Sequence, residues 1–447
     1  MLRLTLGSEA RRGCDRVTRR HALRLGATGL IGGMTLPRLL ELQAKAATTR
    51  EAKAKSCIFL FLEGGPPHQD MWDPKPDAPE EIRGPFRPIR TNVPGTFVTD
   101  QLPLCAKLAD KYTIVRSHSH NDNGHTTGYH YVMTGRKANF PDGDNPIPNN
   151  DFFPSIGSIV AREVGPRGQL PAYINLPHPM GGGGPGFYGA EYAPFVIEAD
   201  PSQPDFEVKD LAPAARIGES RLGLRRKLLG EVDRMNRRLD NAPDGAMSTY
   251  YSKAFELISS PQAKQAFDIH SEPDSVRDAY GQTQIGQCAL LARRLVESGC
   301  RFVGVDAPGW DVHFNCFPSL KTDLIPYADR AFSALVTDLD QRGLLDETLV
   351  VMMGEMGRTP RVNAQAGRDH WSMAQTIIFA GGGTKPGQVI GATDEQAAAP
   401  ITDPVSVSDL LFTLSSLMGI DPTKTYYSPL GRPVPIVDGG RMIPGLV

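Results

Sequence analysis

The chain has few cysteines, no strong charge imbalance and few long apolar runs. Its 447 residues include 6 cysteines, none of them in a CxxC pair, so a dense disulfide framework is not indicated. The 48 basic residues nearly balance the 50 acidic ones, which excludes a protein that binds nucleic acid or anionic membranes through overall charge. Beyond residue 46 no apolar run approaches membrane length, so we expect no stable membrane span in the mature chain.

The first 46 residues differ from the rest of the chain. Arg19 and Arg20 precede a short, glycine-rich apolar run, and residues 44–46 read Ala-Lys-Ala, a small-x-small cleavage site. This pattern predicts a twin-arginine signal peptide over residues 1–46, and therefore an exported, periplasmic or extracellular protein that uses the twin-arginine export machinery. A membrane anchor is the alternative, but a proline and an arginine interrupt the apolar run.

Short apolar runs alternate with amphipathic segments after the signal. Each run is followed by polar residues, as expected for buried strands with loops at their carboxyl ends. The predicted strands are 56–62, 112–117, 301–306, 348–353 and 373–380. The predicted helices are 284–298, 327–341 and 405–418. This alternation predicts an α/β fold with a mostly parallel central sheet flanked by helices.

Residues 47–447 are expected to form a single domain with an insertion in its middle. From about residue 141 to residue 213 the chain is rich in proline, glycine and asparagine, and residues 216–267 are charged with a helical pattern. We interpret about 141–280 as long loops plus a helical insertion on the α/β core rather than as a second domain.

Histidine and carboxylate side chains follow the predicted strands. In open α/β sheets, sites form in the crevice beyond the carboxyl ends of strands. Imidazole together with carboxylate is the usual ligand set of zinc, manganese or iron, while an all-oxygen set favours calcium or magnesium. The candidate ligands are Glu63, His68, Asp70, Asp311, His313, Glu355 and His370. A single loop histidine is more often a hydrogen-bonding group, so the prediction of a divalent metal site, for zinc, manganese or calcium, depends on their joint placement.

One segment, SHSHNDNGHTTGYHYVMTGR over residues 117–136, holds four of the ten histidines. Its His118, His120, His130 and Arg136 are candidate substrate-binding residues. Farther along, Arg358 lies close to Glu355 in the sequence. An ion pair is one interpretation of Arg358, and a bidentate clamp on a phosphate or sulfate group is the other.

Six motifs, in a fixed order behind the predicted signal, resemble a known family. They read LEGGPPHQDMWDPKP, HSHNDNGHTTGYHYVMTG, GWDVHFN, GEMGRTPRVN, GRDHW and GGGTKPGQVIGATDE. Over nearly the whole mature chain the sequence resembles the exported proteins called domain of unknown function 1501. That family is similar in fold to the sulfatase and alkaline phosphatase superfamily, whose members hydrolyse phosphate or sulfate esters with one or two divalent metals.

The resemblance implies a position for the nucleophile but not its chemistry. Sulfatases carry C/S-x-P-S-R-x-x-x-x-T-G-R at a helix N-terminus, with the nucleophile first. Aligned on residues 134–136, the chain has His125 at that position and Thr126 next, without the Pro, Ser and Arg that follow in sulfatases. Direct attack by His125, attack by Thr126 with a histidine as base, and attack by a metal-activated water remain alternatives.

The resemblance also implies metal positions. Glu63 or Asp70 would supply the first acidic ligand, and Asp311-x-His313 resembles the Asp-x-x-x-His pair of the superfamily with shorter spacing. The late Asp-His pair corresponds to Glu355-Met356, in which methionine is a poor ligand for a hard metal, and the last histidine corresponds to His370. A reduced or single-metal site is therefore implied.

Three functions follow, in order of preference. The first is an exported metal-dependent hydrolase of phosphate or sulfate esters, on small molecules or polysaccharides, in which Arg358 or Arg136 stabilises charge on the transferring group. The second is a non-catalytic exported binding protein that keeps the fold, with or without one metal, favoured by the missing nucleophile motif and by Met356 at a ligand position. The third, a carbohydrate-associated surface protein, would need an exposed aromatic platform, and the chain has only 3 tryptophans.

Overall fold

Sixteen strands lie in the residues that the computed structural model describes, 52–143, 152–208 and 260–447. They are β1 Ser56–Leu62, β2 Pro88–Arg90, β3 Phe97–Thr99, β4 Tyr112–His118, β5 Tyr173–Leu176, β6 Phe195–Val196, β7 Phe302–Ala307, β8 Thr348–Met353, β9 Gly357–Arg358, β10 His370–Trp371, β11 Gln375–Ala380, β12 Val389–Ile390, β13 Ala392–Thr393, β14 Pro400–Thr402, β15 Thr425–Tyr427 and β16 Pro433–Pro435.

Ten α-helices lie in the same residues. They are α1 Glu80–Arg83, α2 Pro103–Ala106, α3 His125–Thr134, α4 Ile156–Glu163, α5 Pro261–Phe267, α6 Asp274–Tyr280, α7 Gln284–Glu297, α8 Cys316–Ser319, α9 Ile325–Gln341 and α10 Val407–Leu417. A π-helical turn at Leu320–Leu324 connects α8 to α9.

Eight of the strands form the central sheet, in the order β12-β4-β11-β8-β1-β7-β5-β6. Strand β1 pairs in parallel with β7 on one side and with β8 on the other. Only β11 runs against its neighbours β4 and β8 among the pairs of this sheet in the described residues. The prediction of a mostly parallel sheet flanked by helices is therefore confirmed.

The sheet separates two hydrophobic cores, one on each face. Alternate residues of β1 point to opposite faces, so Ile58 and Leu60 belong to one core and Phe59 and Phe61 to the other. Helices α7 and α9 cover the first face, and α3, α4 and α10 cover the second. Strand β1 is buried throughout, which explains why it is one continuous apolar run rather than an alternating pattern.

The middle of the chain contributes more regular structure to the central sheet and its flanking helices than its composition indicated. Helix α4 and strands β5 and β6 lie within the stretch interpreted as long loops, and both strands extend the central sheet. The two strands have only four and two residues, too short to stand out among proline and glycine. Most of the predicted helical insertion, and the predicted signal peptide, fall outside the described residues. No helix in the described part is long and apolar enough to cross a membrane.

Candidate metal centre

The register of the central strands brings three distant loops together at one edge of the sheet. Phe61 of β1 pairs with Asp306 of β7 on one side and with Met353 of β8 on the other. Because the three strands are parallel and end at the same level, Glu63 and Glu355 leave the sheet beside the loop that follows β7. The Cα atom of Gly64 lies in backbone contact with that loop, since a Cβ atom there would fall 2.4 Å from the amide nitrogen of Asp311.

Three imidazoles converge on one carboxylate oxygen, Asp311 Oδ1. The Nε2 atoms of His313, His370 and His125 lie 2.9, 3.1 and 3.3 Å from that oxygen. The Nε2 atoms of His313 and His370 are 2.9 Å apart. His125 is the first residue of α3, and His370 is the first residue of β10, so separate elements bring the rings together. The four side chains form what we call the ligand centre.

Each ring of the ligand centre has its other nitrogen held by an acceptor. His125 Nδ1 lies 2.7 Å from Glu355 Oε1, and His313 Nδ1 lies 2.8 Å from Asp369 Oδ1. His370 Nδ1 lies 2.7 Å from the carbonyl oxygen of Asn123. An acceptor at Nδ1 favours a proton on that atom, so that in the neutral form of the ring the lone pair of Nε2 is directed at the centre.

The charge of Asp311 is held by a buried guanidinium. Arg358 is fully buried, and its Nη2 lies 2.5 Å from Asp311 Oδ1. Burial alone would raise the pKa of Asp311, but His125, His370 and Arg358 outweigh burial and lower that pKa far below its usual range. The other acceptors of the Arg358 guanidinium are the backbone carbonyls of Gly65, Arg368, Gly64 and Trp310.

Three further carboxyl groups, those of Glu355, Glu63 and Asp306, interact with one another beside the centre. Glu355 is fully buried and accepts hydrogen bonds from the backbone N–H of Gly64 at 2.9 and 3.1 Å. Burial and the neighbouring Glu355 raise the pKa of Glu63 to about 7. Burial and Glu63 raise the pKa of Asp306 as well, and the hydroxyl of Tyr129 donates to Asp306 Oδ1 at 3.0 Å.

Two carboxylates, those of Asp311 and Glu355, determine the protonation of His125. Burial lowers the pKa of His125, but the carboxylates of Asp311 and Glu355 outweigh burial and raise it to about 10. The centre is nevertheless open on one side, because 46% of the Asp311 side chain is exposed while 13% of His125 is. A ligand can therefore reach the converging atoms from solvent.

A family model described as "Protein of unknown function (DUF1501)" matches residues 54–447. The chain belongs to this family. All six motifs quoted above lie inside the matched residues, so the resemblance inferred from them is confirmed. Among curated proteins, none matches the chain.

Three solved structures, among others, match the structure of this DUF1501 protein at low sequence identity. The PsFucS1 sulfatase from Pseudoalteromonas sp. has 13% identity and a TM-score of 0.36, with 90% of this chain and 72% of that chain covered. The phosphonate monoester hydrolase SpPMH from Silicibacter pomeroyi has 14% identity and a TM-score of 0.35, with 82% and 74% covered. A variant of TAB5 alkaline phosphatase has 8% identity and a TM-score of 0.34, with 83% and 100% covered. These TM-scores are too low for the similarity to indicate a function, so the function proposed below is derived from the ligand centre alone.

Two of the predicted ligands of the DUF1501 protein lie in a separate buried network. His68 Nε2 lies 2.8 Å from the carbonyl oxygen of Ala397, and burial lowers the pKa of His68 to about 4. Asp70 accepts two hydrogen bonds from the buried guanidinium of Arg368, at 2.8 and 3.0 Å. The structure therefore brings together Asp311, His313 and His370, with Glu63 and Glu355 beside them, but directs His68 and Asp70 elsewhere.

The predicted substrate-binding residues are likewise separate from the ligand centre. His118 Nδ1 contacts the carbonyl oxygen of Val405 at 2.9 Å, and His120 Nε2 contacts that of Glu355 at 2.6 Å. His130 is buried within α3 against Phe140 and Phe152. Arg136 follows the carboxyl end of α3, about 15 Å along the helix from His125, and pairs with Asp438 at 2.5 Å.

The predicted catalytic residues have mixed positions. His125 lies in the ligand centre, whereas the hydroxyl of Thr126 donates to the carbonyl oxygen of Gly143 at 2.6 Å. The guanidinium of Arg358 is enclosed by its protein partners, so it positions Asp311 and is out of reach of a substrate.

Sequence reasoning missed the residues that orient the ligands. Asp369 lies within the motif GRDHW, but its contact with His313 forms only where two loops distant in the sequence come together, which residue spacing does not reveal. The carbonyl of Asn123 has no sequence signal, because any residue supplies a carbonyl. Asp306, which interacts with Glu63 and Tyr129 rather than with a ligand, did have a sequence signal, because it is the only charged residue in the otherwise apolar strand β7.

Proposed function

We propose that the chain is an exported metal-dependent hydrolase of phosphate or sulfate esters. The observation that carries this proposal is the convergence of three imidazole Nε2 atoms on Asp311 Oδ1, with each Nδ1 held by an acceptor. His125, Asp311, His313 and His370 would hold the metal. Export is inferred from Arg19 and Arg20, which lie outside the described residues.

The donor atoms fit a divalent cation. With protons on both Nδ1 atoms, the lone pairs of His313 Nε2 and His370 Nε2 would face each other across 2.9 Å. His125 Nε2 is buried and lies 3.3 Å from Asp311 Oδ1, but among the described residues it makes no hydrogen bond of normal geometry. Only a shared proton or a cation makes such an arrangement favourable. Three imidazoles and one carboxylate favour zinc over manganese, and favour calcium least.

A divalent cation bound there would polarise an oxygen of the ester and lower the pKa of a water molecule. The side chains around it have positioning roles: Glu355 orients His125, Asp369 orients His313, and Arg358 holds Asp311. His125 opens helix α3, whose N-terminal partial positive charge favours an anionic group at this position. The positions of His125 and Thr126 favour water as the attacking group. The His125 Nε2 atom faces the ligand centre, and the Thr126 hydroxyl is hydrogen-bonded to the carbonyl oxygen of Gly143.

The second candidate is a non-catalytic exported binding protein with the same metal. Its support is the enclosure of Arg358, which leaves the guanidinium unable to stabilise charge on a transferring group. A small molecule or polysaccharide bearing an anionic ester would be the ligand in either case.

The test combines metal analysis with two chromogenic esters. Elemental analysis by plasma mass spectrometry of the purified mature chain should find about one metal per chain, and His370→Ala and Asp311→Ala should each lose it. His270→Ala, which changes an exposed histidine on another surface turn, should keep it. Turnover of nitrophenyl phosphate or nitrophenyl sulfate would support the hydrolase, and a metal-loaded chain with no turnover would favour the binding protein. A folded chain without metal would refute both.

A further inference from the structure

An exposed phenylalanine lies next to the ligand centre. Phe314 follows His313 in the motif GWDVHFN, and 74% of its surface is accessible. Its ring centroid is 6.2 Å from that of His313, with 51° between the ring planes. A phenyl ring of this size loses stabilisation when it faces water rather than a packed interior. A single exposed apolar residue elsewhere on the surface would need no explanation, but the position of Phe314 beside His313 of the ligand centre calls for one.

The backbone around Phe314 is fixed by a neighbouring loop. Asn363 Nδ2 donates to the carbonyl oxygen of His313 at 3.0 Å, and the Asn315 N–H donates to Gln365 at 2.9 Å. Gly367 touches the same segment so closely that a Cβ atom would fall 1.9 Å from the His313 carbonyl oxygen. Asn315 has a φ of +41°, in the left-handed region that asparagine tolerates better than most residues. The fold thus holds the ring outward on a supported segment.

We propose that Phe314 selects the group esterified to the phosphate or sulfate, and that this group carries a ring whose face packs on the phenyl. The inference rests on the proposed function, because it places the anionic part of the ester at the ligand centre, beside His313. Stacking on an aromatic ring that is already held in place costs little ordering, so most of the contact contributes to affinity. An aryl ring and the apolar face of a saturated ring such as a sugar share this chemistry.

Binding of phosphonates, which cannot be hydrolysed as esters are, tests the proposal without relying on turnover. Calorimetric titration of the purified, metal-containing chain with phenylphosphonate and methylphosphonate should give about 5- to 30-fold tighter binding of the phenyl compound. Phe314→Ala should remove this preference and leave methylphosphonate unchanged, whereas Phe314→Trp should keep it. Tyr427→Ala, which removes a similarly exposed ring from β15, is the matched control. Metal content and melting temperature should be unchanged in all three variants.

The outcomes separate this inference from the proposed function. Preference for phenylphosphonate over cyclohexylphosphonate would assign an aromatic ring, and equal or reversed preference would assign a saturated one. A ring preference that disappears in Phe314→Ala, in a chain that hydrolyses neither nitrophenyl ester, would keep the ring site and reject the hydrolase. Equal binding of phenyl and methyl compounds by the unsubstituted chain, a preference that survives Phe314→Ala, or no binding of any phosphonate would each overturn the inference.

Discussion

Removing the charge of Glu355 should weaken metal binding without disturbing the fold. Glu355 lies 2.7 Å from His125 Nδ1 and is fully buried, so its negative charge acts on the ring through a medium that screens it little. Glutamine keeps the shape and an oxygen that can accept from Gly64, but it loses the charge that makes the imidazole a stronger ligand. We expect Glu355→Gln to lower zinc affinity about 10- to 100-fold, or about 1.4 to 2.7 kcal/mol.

Asp369 offers an internal comparison. It holds His313 at a similar distance, 2.8 Å, but 54% of its side chain is exposed, so solvent screens its charge. Asp369→Asn should therefore lower zinc affinity by less than Glu355→Gln, about tenfold or below. Competition with a chromophoric zinc chelator measures both variants, and Asp346→Asn, a change in an exposed turn, is the control. Equal affinities for Glu355→Gln and the unsubstituted chain, or a larger loss in Asp369→Asn, would refute the orienting role of the buried carboxylate.

Three other predictions concern stability and substrate access. Arg358→Met should destabilise the chain by about 3 to 5 kcal/mol in urea unfolding, because it leaves four backbone carbonyls without the buried guanidinium that donates to them. Arg361→Met at an exposed site should change stability by less than about 0.5 kcal/mol, and similar midpoints for both would contradict this. Burial lowers the pKa of His68 to about 4, below the 6.5 of an unfolded histidine, so the unfolded chain binds the proton first on acidification. The contribution of His68 to stability should be complete above pH 6.5 and should fall by up to about 1.4 kcal/mol per pH unit between pH 6.5 and 4. Thermal unfolding across that range should therefore depend less on pH in His68→Gln than in the unsubstituted chain. Arg136→Ala should leave metal content and nitrophenyl ester turnover unchanged, since Arg136 pairs with Asp438 at the far end of α3, and a selective rise in KM would show that it binds substrate.

The sequence was informative wherever backbone position decides the outcome. Strand β1 is a continuous apolar run with a polar loop after it, and parallel strands must end together, so Glu63, Asp311 and Glu355 could be placed at one edge. The antiparallel strand β11 was not distinguished from its parallel neighbours, because an apolar run reads the same in either direction.

Side-chain direction could not be read from spacing. His68 and His120 also follow strands, yet their rings turn to backbone carbonyls, while His125 and His370 reach the centre from a helix start and a short ribbon. Which imidazole faces the centre depends on contacts between segments far apart in the chain. The enclosure of Arg358 is of the same kind, because carbonyl groups carry no residue-type signal.

The ligand centre also connects segments that are far apart in the chain. His125 and Glu355 are separated by 230 positions, and Asp311 and His370 by 59. A cation held by His125 and His370 together would bind the folded chain and not the unfolded one, because only folding brings these distant residues together, and its binding free energy would therefore add to the free energy of unfolding. Such a centre would make a chain without disulfides in its described part more resistant to unfolding, a role that requires no catalysis.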